Sequence, residues 1–231
     1  MGSNDFYKEH PKTCAPDDFW GQVKRTVGGR PVPQEQIDLI VSAVVQGLRL
    51  SSSDTLLDLC CGNGALSCLL FRQCAAGLGV DHSAYLIDVA QNNFAYPGHE
   101  YLLVDDVTGY VNREPDPERF NKAVCYGSFQ YLDSDAATKL LHHLRDRFRR
   151  VEHLFIGNVP DKEQIARFNQ GDAFTPGAAE DNTSPIGIWR NRDEFAALAA
   201  STGWRASFSV MPESFYASAY RYDVLLTPAV G

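Results

Sequence analysis

The sequence predicts a doubly wound α/β domain, and the stretch 55–81 carries most of that prediction. A short apolar run from Leu56 to Leu59 is typical of a buried strand. A glycine turn and a segment with helical spacing of leucines follow, and a second short strand then ends in Asp81. The order strand, glycine turn, helix, strand and acid is that of a nucleotide-binding βαβ unit. The glycines let the backbone approach a ligand, and the final carboxylate can accept hydrogen bonds from ribose hydroxyls.

Departures from the dinucleotide-binding pattern narrow the choice of nucleoside. In the pattern G-x-G-x-x-G the first glycine follows the strand directly, but here Cys60 takes that place. When the pattern is counted from Gly62 instead, Ser67 stands where the third glycine would fall. Asp58 is an acid inside the apolar strand, four residues before Gly62. A buried carboxylate is costly unless it meets a hydrogen-bond donor or a cation. Since Asp58 would repel a pyrophosphate, the strand favours a ligand that carries positive charge.

Three short motifs resemble those of the class I S-adenosylmethionine-dependent methyltransferases of the small-molecule type. They are Asp58–Gly64, which follows the family pattern D/E-x-G-x-G-x-G, the stretch GVDHS at 79–83, and the stretch LVDDV at 103–107. Cys60 departs from the residue most common in that pattern. The resemblance implies a Rossmann-like, doubly wound, seven-stranded and mostly parallel sheet, with a C-terminal antiparallel strand pair at 206–211 and 221–226. It also implies S-adenosyl-L-methionine as the cofactor.

Other interpretations of the same stretch stay open. One is a nicotinamide or flavin enzyme, and the other is a glycine turn in an ordinary α/β domain. The second interpretation would leave the acids Asp58, Asp81 and Asp106, at three successive strand ends, as coincidences.

The resemblance assigns cofactor contacts along the carboxyl edge of the sheet. It implies that Asp81 accepts from the ribose hydroxyls and that His82 lies flat against the adenine, although an exposed turn histidine is the simpler role. Asp106, with Asp105 as the alternative, is expected to accept from the adenine amino group, while the Val107 N–H meets the ring. The other predicted cofactor residues are Asp58, Cys60, Gly62, Asn63 and Gly64 in the first motif, Arg25 at the carboxylate of the amino acid end, and Tyr126 and Gly127 near the sulfonium.

The segment 126–132 follows the fourth predicted strand, where an open α/β sheet binds its ligands. Aromatic faces suit a positively charged sulfonium. An O-methyl acceptor would need a base within about 3 Å of its hydroxyl, and no motif supplies one. The candidate catalytic residues are Tyr126, Tyr131 and His10, with His142 as a further candidate, and the candidate substrate contacts are Phe129, Gln130, Tyr131, Trp189, Tyr220 and Arg221. Sheet or sheet-edge packing is the alternative role for the aromatic members of this group.

The domain organisation follows from these motifs. Residues 1–33 form an aromatic lead-in that we expect to act as a lid, and residues 34–231 form the methyltransferase domain. The irregular stretch 161–192 is a candidate substrate lid, because long loops in compact domains are usually functional or disordered. The alternative for the lead-in is a helix that packs on the domain and leaves Arg25 in water.

Composition excludes several classes of protein. The chain has 231 residues and a formal net charge of −8, which argues against non-specific binding of nucleic acid. No stretch is apolar enough to span a membrane and no secretory signal is visible, so we expect a cytoplasmic protein that is a monomer or a homodimer. The cysteine and histidine spacings predict neither a metal site nor a structural disulfide.

The predicted function is methyl transfer from S-adenosylmethionine to an oxygen or nitrogen of a polar small molecule, such as a sugar or a natural-product intermediate. Because the sulfonium is already electrophilic, the protein would act by positioning, which can lower a barrier by roughly 7–11 kcal/mol. The alternatives are an RNA or protein methyltransferase and a non-catalytic nucleoside-binding module. No N-P-P-Y motif follows the fourth strand to favour the first alternative, and the intact Asp58 and Asp81 argue against the second.

Overall fold

The computed structural model describes residues 9–168, 177 and 179–229. Parts of both predicted lids, residues 1–8 of the lead-in and residues 169–176 and 178 of the stretch 161–192, lie outside the described residues. All of the predicted site residues lie within them.

A mixed sheet of seven strands forms the centre of the domain. In chain order its strands are β1 Thr55–Leu59, β2 Ala76–Asp81, β3 His99–Leu103, β4 Lys122–Tyr126, β5 His153–Pro160, β6 Trp204–Ser209 and β7 Arg221–Pro228. They lie side by side in the order β3-β2-β1-β4-β5-β7-β6. The first five pair in parallel, whereas β7 runs antiparallel to both β5 and β6. The predicted mostly parallel sheet with a C-terminal antiparallel pair is therefore confirmed.

Helices cover both faces of this sheet. Their bounds are α1 Phe19–Gln22, α2 Gln34–Leu48, α3 Ala65–Phe71, α4 Ala84–Phe94, α5 Val107–Arg113, α6 Ser134–Arg147, α7 Ile165–Phe168 and α8 Arg192–Ser201. Side chains alternate between the faces of a strand, so Leu57 and Leu59 enter one core cluster with α5, α6 and α8. Leu56 enters the other cluster, with α2, α3 and α4.

The two C-terminal strands and one helix differ from the sequence prediction. The last strand, β7, ends at Pro228 and not at 226. The sixth strand occupies Trp204–Ser209 and not 206–211, because the buried Trp204 already pairs with Pro228 of β7. Helix α5 was not predicted. It begins after Asp106, whose side chain accepts a hydrogen bond from the Gly109 N–H and so caps the helix.

The topology brings distant parts of the chain to one edge of the sheet. The parallel strands all end there, β2 at Asp81 and β4 at Tyr126. Because β7 runs the other way, it begins at the same edge, where Arg221 lies opposite Pro160, the last residue of β5. Ligands of open α/β sheets bind at this edge.

Candidate functional site

A cavity of about 530 Å³ lies at the carboxyl ends of the parallel strands. Its volume falls within the range of about 300–1,000 Å³ that is usual for small-molecule sites. Fourteen of the predicted site residues line it: Arg25, Cys60, Gly62, Asp81, His82, Asp105, Asp106, Val107, Tyr126, Gly127, Gln130, Tyr131, Tyr220 and Arg221. The described lining does not include the other predicted residues, which are His10, Asp58, Asn63, Gly64, Phe129, His142 and Trp189.

The turn after β1 forms the floor of the cavity. Gly62 has a φ of +59°, and a Cβ at this position would lie 3.0 Å from Cγ1 of Val23. Cys60 has a φ of +62°, in the left-handed region that favours glycine. The residue that departs from the first-motif pattern therefore adopts the backbone conformation that a glycine would adopt there without strain.

Asp81, at the end of β2, lies against this turn. Its carboxylate is buried, with Oδ2 accepting from the Gly62 N–H at 2.9 Å and Oδ1 accepting from the Ser83 N–H at 2.9 Å. These two bonds fix the carboxylate while leaving further lone pairs available on both oxygens. The next residue, His82, lies with Nδ1 3.6 Å from Asp81 Oδ1, and its buried Nε2 has no hydrogen-bond partner among the described residues.

Asp58 lies beneath the turn and not in the described wall of the cavity. Its carboxylate accepts a 2.5 Å hydrogen bond from the Ser67 hydroxyl at the start of α3. Burial raises the pKa of Asp58 from 3.8 to about 7, while the Ser67 hydrogen bond and the positive charge of Arg25 act in the opposite direction. The donor that the sequence required for this acid is thus provided by the residue at the place of the missing third glycine.

The end of β3 supplies the part of the wall where the resemblance places the adenine. Asp106 is exposed to the cavity, and one of its oxygens caps α5. Val107 follows as the first residue of that helix. Asp105 also lines the cavity and pairs with Arg113 at 3.8 Å. The assignment of the adenine contacts to these residues stays a prediction.

The lead-in crosses the cavity as a strap made of α1 and the residues that follow it. Arg25 lies over two aromatic rings, with its guanidinium carbon 5.6 Å from the Trp20 ring centre and 5.5 Å from that of Tyr126. Asn63 holds α1 in place, because its Nδ2 donates to the Phe19 carbonyl and to Gln22 Oε1. The amide N–H groups of Asn63, predicted to contact the cofactor, are therefore already bonded within the protein.

Two histidines that were candidate bases lie away from the cavity lining. His10 is hydrogen-bonded through Nε2 to the Gly21 carbonyl at 3.0 Å. His142 is exposed on α6. Neither imidazole is among the described residues that border the cavity.

The loop after β4 carries unpaired polar atoms. The Tyr126 hydroxyl and Gln130 Oε1 are buried and have no hydrogen-bond partner within the described chain, and both residues line the cavity. Gln130 is held by its other amide atom, which donates to the Gly127 carbonyl at 2.7 Å. Burial raises the pKa of Tyr126 well above its ordinary value, so the hydroxyl keeps its proton at neutral pH. It is therefore suited to donating a hydrogen bond, and not to acting as a base.

Phe129 and Trp189, two of the predicted substrate contacts, pack inside the protein. Residues Phe129–Tyr131 form a single helical turn, which points Phe129 at Phe195 in the core, with ring centres 5.3 Å apart. Tyr131 lines the cavity, and its hydroxyl donates to the Pro185 carbonyl at 2.8 Å. Trp189 packs against Phe168 with ring centres 5.3 Å apart.

The cavity wall also contains residues that the sequence analysis missed. Asn158 comes from an irregularity in β5, between Ile156 and Val159, where it has a φ of +64° and a buried Oδ1 without a partner among the described residues. The one sequence signal for it was a polar residue inside an otherwise apolar strand. Asn182 and Pro185, in the predicted substrate lid, were missed as well. Ile186 and Tyr216 also line the cavity; the sequence had suggested the first as a lid residue and the second as an acceptor-pocket residue.

The described residues hold neither a metal-binding cluster nor a helix that could cross a membrane. No group of three or more His, Cys, Asp or Glu side chains is arranged there to hold a metal ion. Every helix in the described ranges is too short or too polar to cross a lipid bilayer.

Comparisons with known proteins agree with this geometry. Residues 56–150 match the family model described as a methyltransferase domain. The uncharacterized methyltransferase C70.08c of Schizosaccharomyces pombe is 32% identical over 96 residues, which cover 40% of this chain and 35% of that protein. The chain thus matches about a third of the length of this curated relative.

Solved structures share the fold at low sequence identity. Magnesium protoporphyrin IX methyltransferase from Synechocystis PCC 6803, solved with bound SAH, superposes with a TM-score of 0.65 at 15% identity, over 97% of each chain. The methyltransferase domain of bacterial CtHen1 has a TM-score of 0.60 at 19% identity, over 84% of this chain and all (100%) of that one.

The seven-stranded fold agrees with that of the solved methyltransferases, and the residues that match the family model include the turn after β1 and Asp81 at the end of β2. S-adenosylmethionine is the cofactor of that family, and the buried Asp81 beside the glycine turn fits its ribose. The match over residues 56–150 and the shared fold support a class I S-adenosylmethionine-dependent methyltransferase.

Proposed function

We propose that this protein transfers the methyl group of S-adenosylmethionine to an oxygen or nitrogen atom of a polar small molecule, such as a sugar or a natural-product intermediate. The observation that carries the proposal is the Asp81 carboxylate, which is buried at the cavity wall and oriented by two backbone N–H groups. Its free lone pairs match the two hydroxyl donors of a ribose.

Residues on either side of Asp81 would hold the rest of the nucleoside. His82 would lie against the adenine, Asp106 and Val107 would meet its edge, and Arg25 would pair with the carboxylate of the amino acid end. The cofactor supplies a methyl group on a positively charged sulfur, which is already activated for displacement. Tyr126 and Gly127 line the part of the cavity where the resemblance places that charge.

The protein's own contribution to the reaction would be positioning. Holding two reactants in line can supply roughly 7–11 kcal/mol of barrier reduction. Tyr126 keeps its proton, so we assign it to orienting the acceptor as a hydrogen-bond donor. Gln130 and Tyr131 lie on the same loop and line the same cavity, and they complete this end of the site.

The surroundings of the cavity favour a small acceptor over a polymer. Asn182, Pro185 and Ile186 border the cavity, and Tyr131 is hydrogen-bonded to this segment. The cavity wall carries the carboxylates Asp105 and Asp106, and the chain has a net charge of −8. An RNA acceptor would instead require a cationic groove.

Isothermal titration with S-adenosylmethionine and S-adenosylhomocysteine tests the nucleoside site. We expect both to bind, and we expect Asp81→Ala to weaken binding at least about a hundredfold, because two hydrogen bonds to a charged group are lost at about 1.5–3 kcal/mol each. Asp88→Ala, on the exposed face of α4, is the matched control. Absence of binding by the wild type, or unchanged affinity in Asp81→Ala, would contradict the proposal.

A labelling experiment tests the acceptor class. The protein is incubated with methyl-labelled cofactor and, in parallel, with a metabolite extract and with total RNA, and the label is followed by mass spectrometry. Label in a low-molecular-weight product supports the proposal. Label recovered only in RNA would replace it with the RNA methyltransferase alternative.

A further inference from the structure

Two arginine side chains face the cavity without a carboxylate partner. Arg25 and Arg221 both line it, and neither forms an ion pair within 4.0 Å with any carboxylate of the described residues. Arg221 Nη1 donates to the Asn158 carbonyl at 2.5 Å, and the guanidinium carbon lies 5.1 Å from the Tyr220 ring centre. The guanidinium of Arg221 makes no other hydrogen bond in the described chain, so most of its donors are free for a ligand.

The charges of the cavity are separated along the sheet. Three of its carboxylates, Asp81, Asp105 and Asp106, lie at the ends of β2 and β3, and a fourth, Asp133, caps α6. Arg221 begins β7, which lies four strands across from β2. At about 4.8 Å between neighbouring strands, the end of β2 with Asp81 and the start of β7 with Arg221 are about 19 Å apart, and Asp105 and Asp106, after β3, lie one strand farther away. The nucleoside end of the cavity is therefore acidic, whereas the lining at β7 presents the Arg221 guanidinium, with the carboxylate of Asp223 buried behind it against the Asn158 N–H.

The two arginines occupy different places between these ends. Arg25 lies over Tyr126, at the end of β4. Arg221 lies two strands farther on, roughly 10 Å beyond. Both act on the same pair of hydroxyls: burial raises the pKa of Tyr126 and of Tyr216, and the positive charges of Arg25 and Arg221 oppose that rise in both. The arginines thus lie on a common aromatic wall, with Arg221 at its far end.

The nucleoside has one carboxylate, at its amino acid end, and the proposed function pairs it with Arg25. Arg221 then has no partner in the nucleoside. Its guanidinium is oriented by the Asn158 carbonyl and the Tyr220 ring, and its planar set of N–H donors suits a planar anion. We propose that the methyl acceptor carries an anionic group, a carboxylate or a phosphate, which pairs with Arg221. This inference rests on the proposed function, because it takes the cavity at β7 as the acceptor end.

Neighbouring groups indicate the rest of the acceptor. Tyr220 and Tyr216 provide aromatic surface beside the guanidinium, and Asn158 Oδ1 and Gln130 Oε1 are acceptors without partners in the described chain. A small anion with an aromatic or planar body and at least one O–H or N–H donor would satisfy all of these groups. The donor would lie near the end of β4, where the methyl group is expected.

The test uses simple probes on the full chain saturated with S-adenosylhomocysteine. Benzoate and phenyl phosphate provide the two kinds of anion, and benzamide is the neutral isostere of benzoate. By isothermal titration we expect at least one anion to bind ten times more tightly than benzamide. We expect Arg221→Gln to remove that preference, Arg221→Lys to retain part of it, and Arg205→Gln, an exposed arginine on β6, to keep it in full.

The affinity for S-adenosylhomocysteine, measured first, keeps the two proposals apart. Failure of the wild type to bind it would contradict the proposed function. Normal binding of the nucleoside with no preference for either anion, or a preference that survives Arg221→Gln, would overturn the inference about the acceptor alone. A loss of more than tenfold in nucleoside affinity in Arg221→Gln would assign this arginine to the cofactor and would also overturn the inference.

Discussion

The Ser67 hydroxyl donates a 2.5 Å hydrogen bond to the buried carboxylate of Asp58. Ser67 stands at the start of α3 and Asp58 in the middle of β1, so the bond ties the helix to the strand across the glycine turn. Burial outweighs this bond, because the pKa of Asp58 is still raised to about 7. The acid beneath the cavity therefore titrates near neutral pH.

We expect Asp58→Asn to make stability less dependent on pH. The folded chain keeps a proton on Asp58 up to about pH 7, whereas the unfolded chain releases it near 3.8, so the stability of the wild type falls as the pH rises between these values. Each unit of pKa corresponds to about 1.4 kcal/mol. The free energies of unfolding of the variant and the wild type are measured in urea. Between pH 5 and pH 8 their difference should therefore shift by about 3 kcal/mol in favour of the variant.

The exposed Asp88→Asn is the control for this experiment. The difference in free energy of unfolding between Asp88→Asn and the wild type should not change over the same range of pH. A flat difference for Asp58→Asn as well would show that Asp58 is charged in the folded protein throughout.

Cys60 provides a test of backbone strain. A side chain in the left-handed conformation costs about 1–2 kcal/mol, and Cys60 has a φ of +62°. Cys60→Gly and Cys60→Ala both lose the sulfur, but only the alanine keeps a Cβ, so we expect the glycine variant to be the more stable by about 1 kcal/mol in urea unfolding. At Cys68, inside α3, the order should be reversed, because glycine is unfavourable in a helix. An alanine variant at position 60 that equals the glycine variant would rule out strain.

Arg25→Gln should weaken binding of the amino acid end of the nucleoside and leave binding of its adenosine part unchanged. If Arg25 pairs with the amino acid carboxylate, affinity for S-adenosylhomocysteine should fall at least tenfold, while affinity for 5′-methylthioadenosine, which lacks that carboxylate, should change less than twofold. Isothermal titration measures both. The control is Arg30→Gln. Arg30 is exposed on a short two-stranded hairpin, in which Thr26–Val27 pairs with Arg30–Pro31, and its replacement should leave both affinities unchanged. Equal losses of affinity for the two ligands would mean that Arg25 does not pair with the carboxylate and acts only on the conformation of the strap formed by α1 and the residues after it.

Tyr126→Phe should separate stability from turnover. The Tyr126 hydroxyl is buried without a partner among the described residues, so removing it should leave the free energy of unfolding unchanged or slightly raised. If this hydroxyl orients the acceptor, kcat/KM for methyl transfer to the acceptor identified by labelling should fall at least tenfold, with nucleoside affinity retained. Tyr85→Phe, on α4 and outside the described cavity lining, should be active. Full activity in Tyr126→Phe would assign the hydroxyl no part in the reaction.

The sequence predicted the features that depend on local pattern. The positions of β1, β2 and β4 and the acid at Asp81 follow from apolar runs that end in glycine or a polar residue, because such runs have few alternatives in a buried sheet. The mostly parallel sheet of seven strands, with its C-terminal antiparallel pair, followed from the resemblance and not from the runs themselves.

Features that depend on contacts between distant residues could not be predicted in the same way. Asn63 donates hydrogen bonds to Phe19 and Gln22 of α1, which lie 44 and 41 residues away in the chain. Phe129 is turned into the core by a single helical turn that no spacing reveals. Asn158 reaches the cavity because β5 changes register between Ile156 and Val159, and such an irregularity depends on the partner strand.

The reversed direction of β7 has a consequence for how this protein and its relatives can diversify. A last strand running with the others would begin at the opposite rim, and Tyr220 and Arg221 would then lie far from the nucleoside. In the observed fold, separate stretches of the chain form the two ends of the cavity. The end at β2 and β3 comes largely from the matched residues 56–150, and the end at β7 comes from residues after them. Under the proposed function, substitutions near the C-terminus would change which molecule is modified without disturbing how the methyl donor is held.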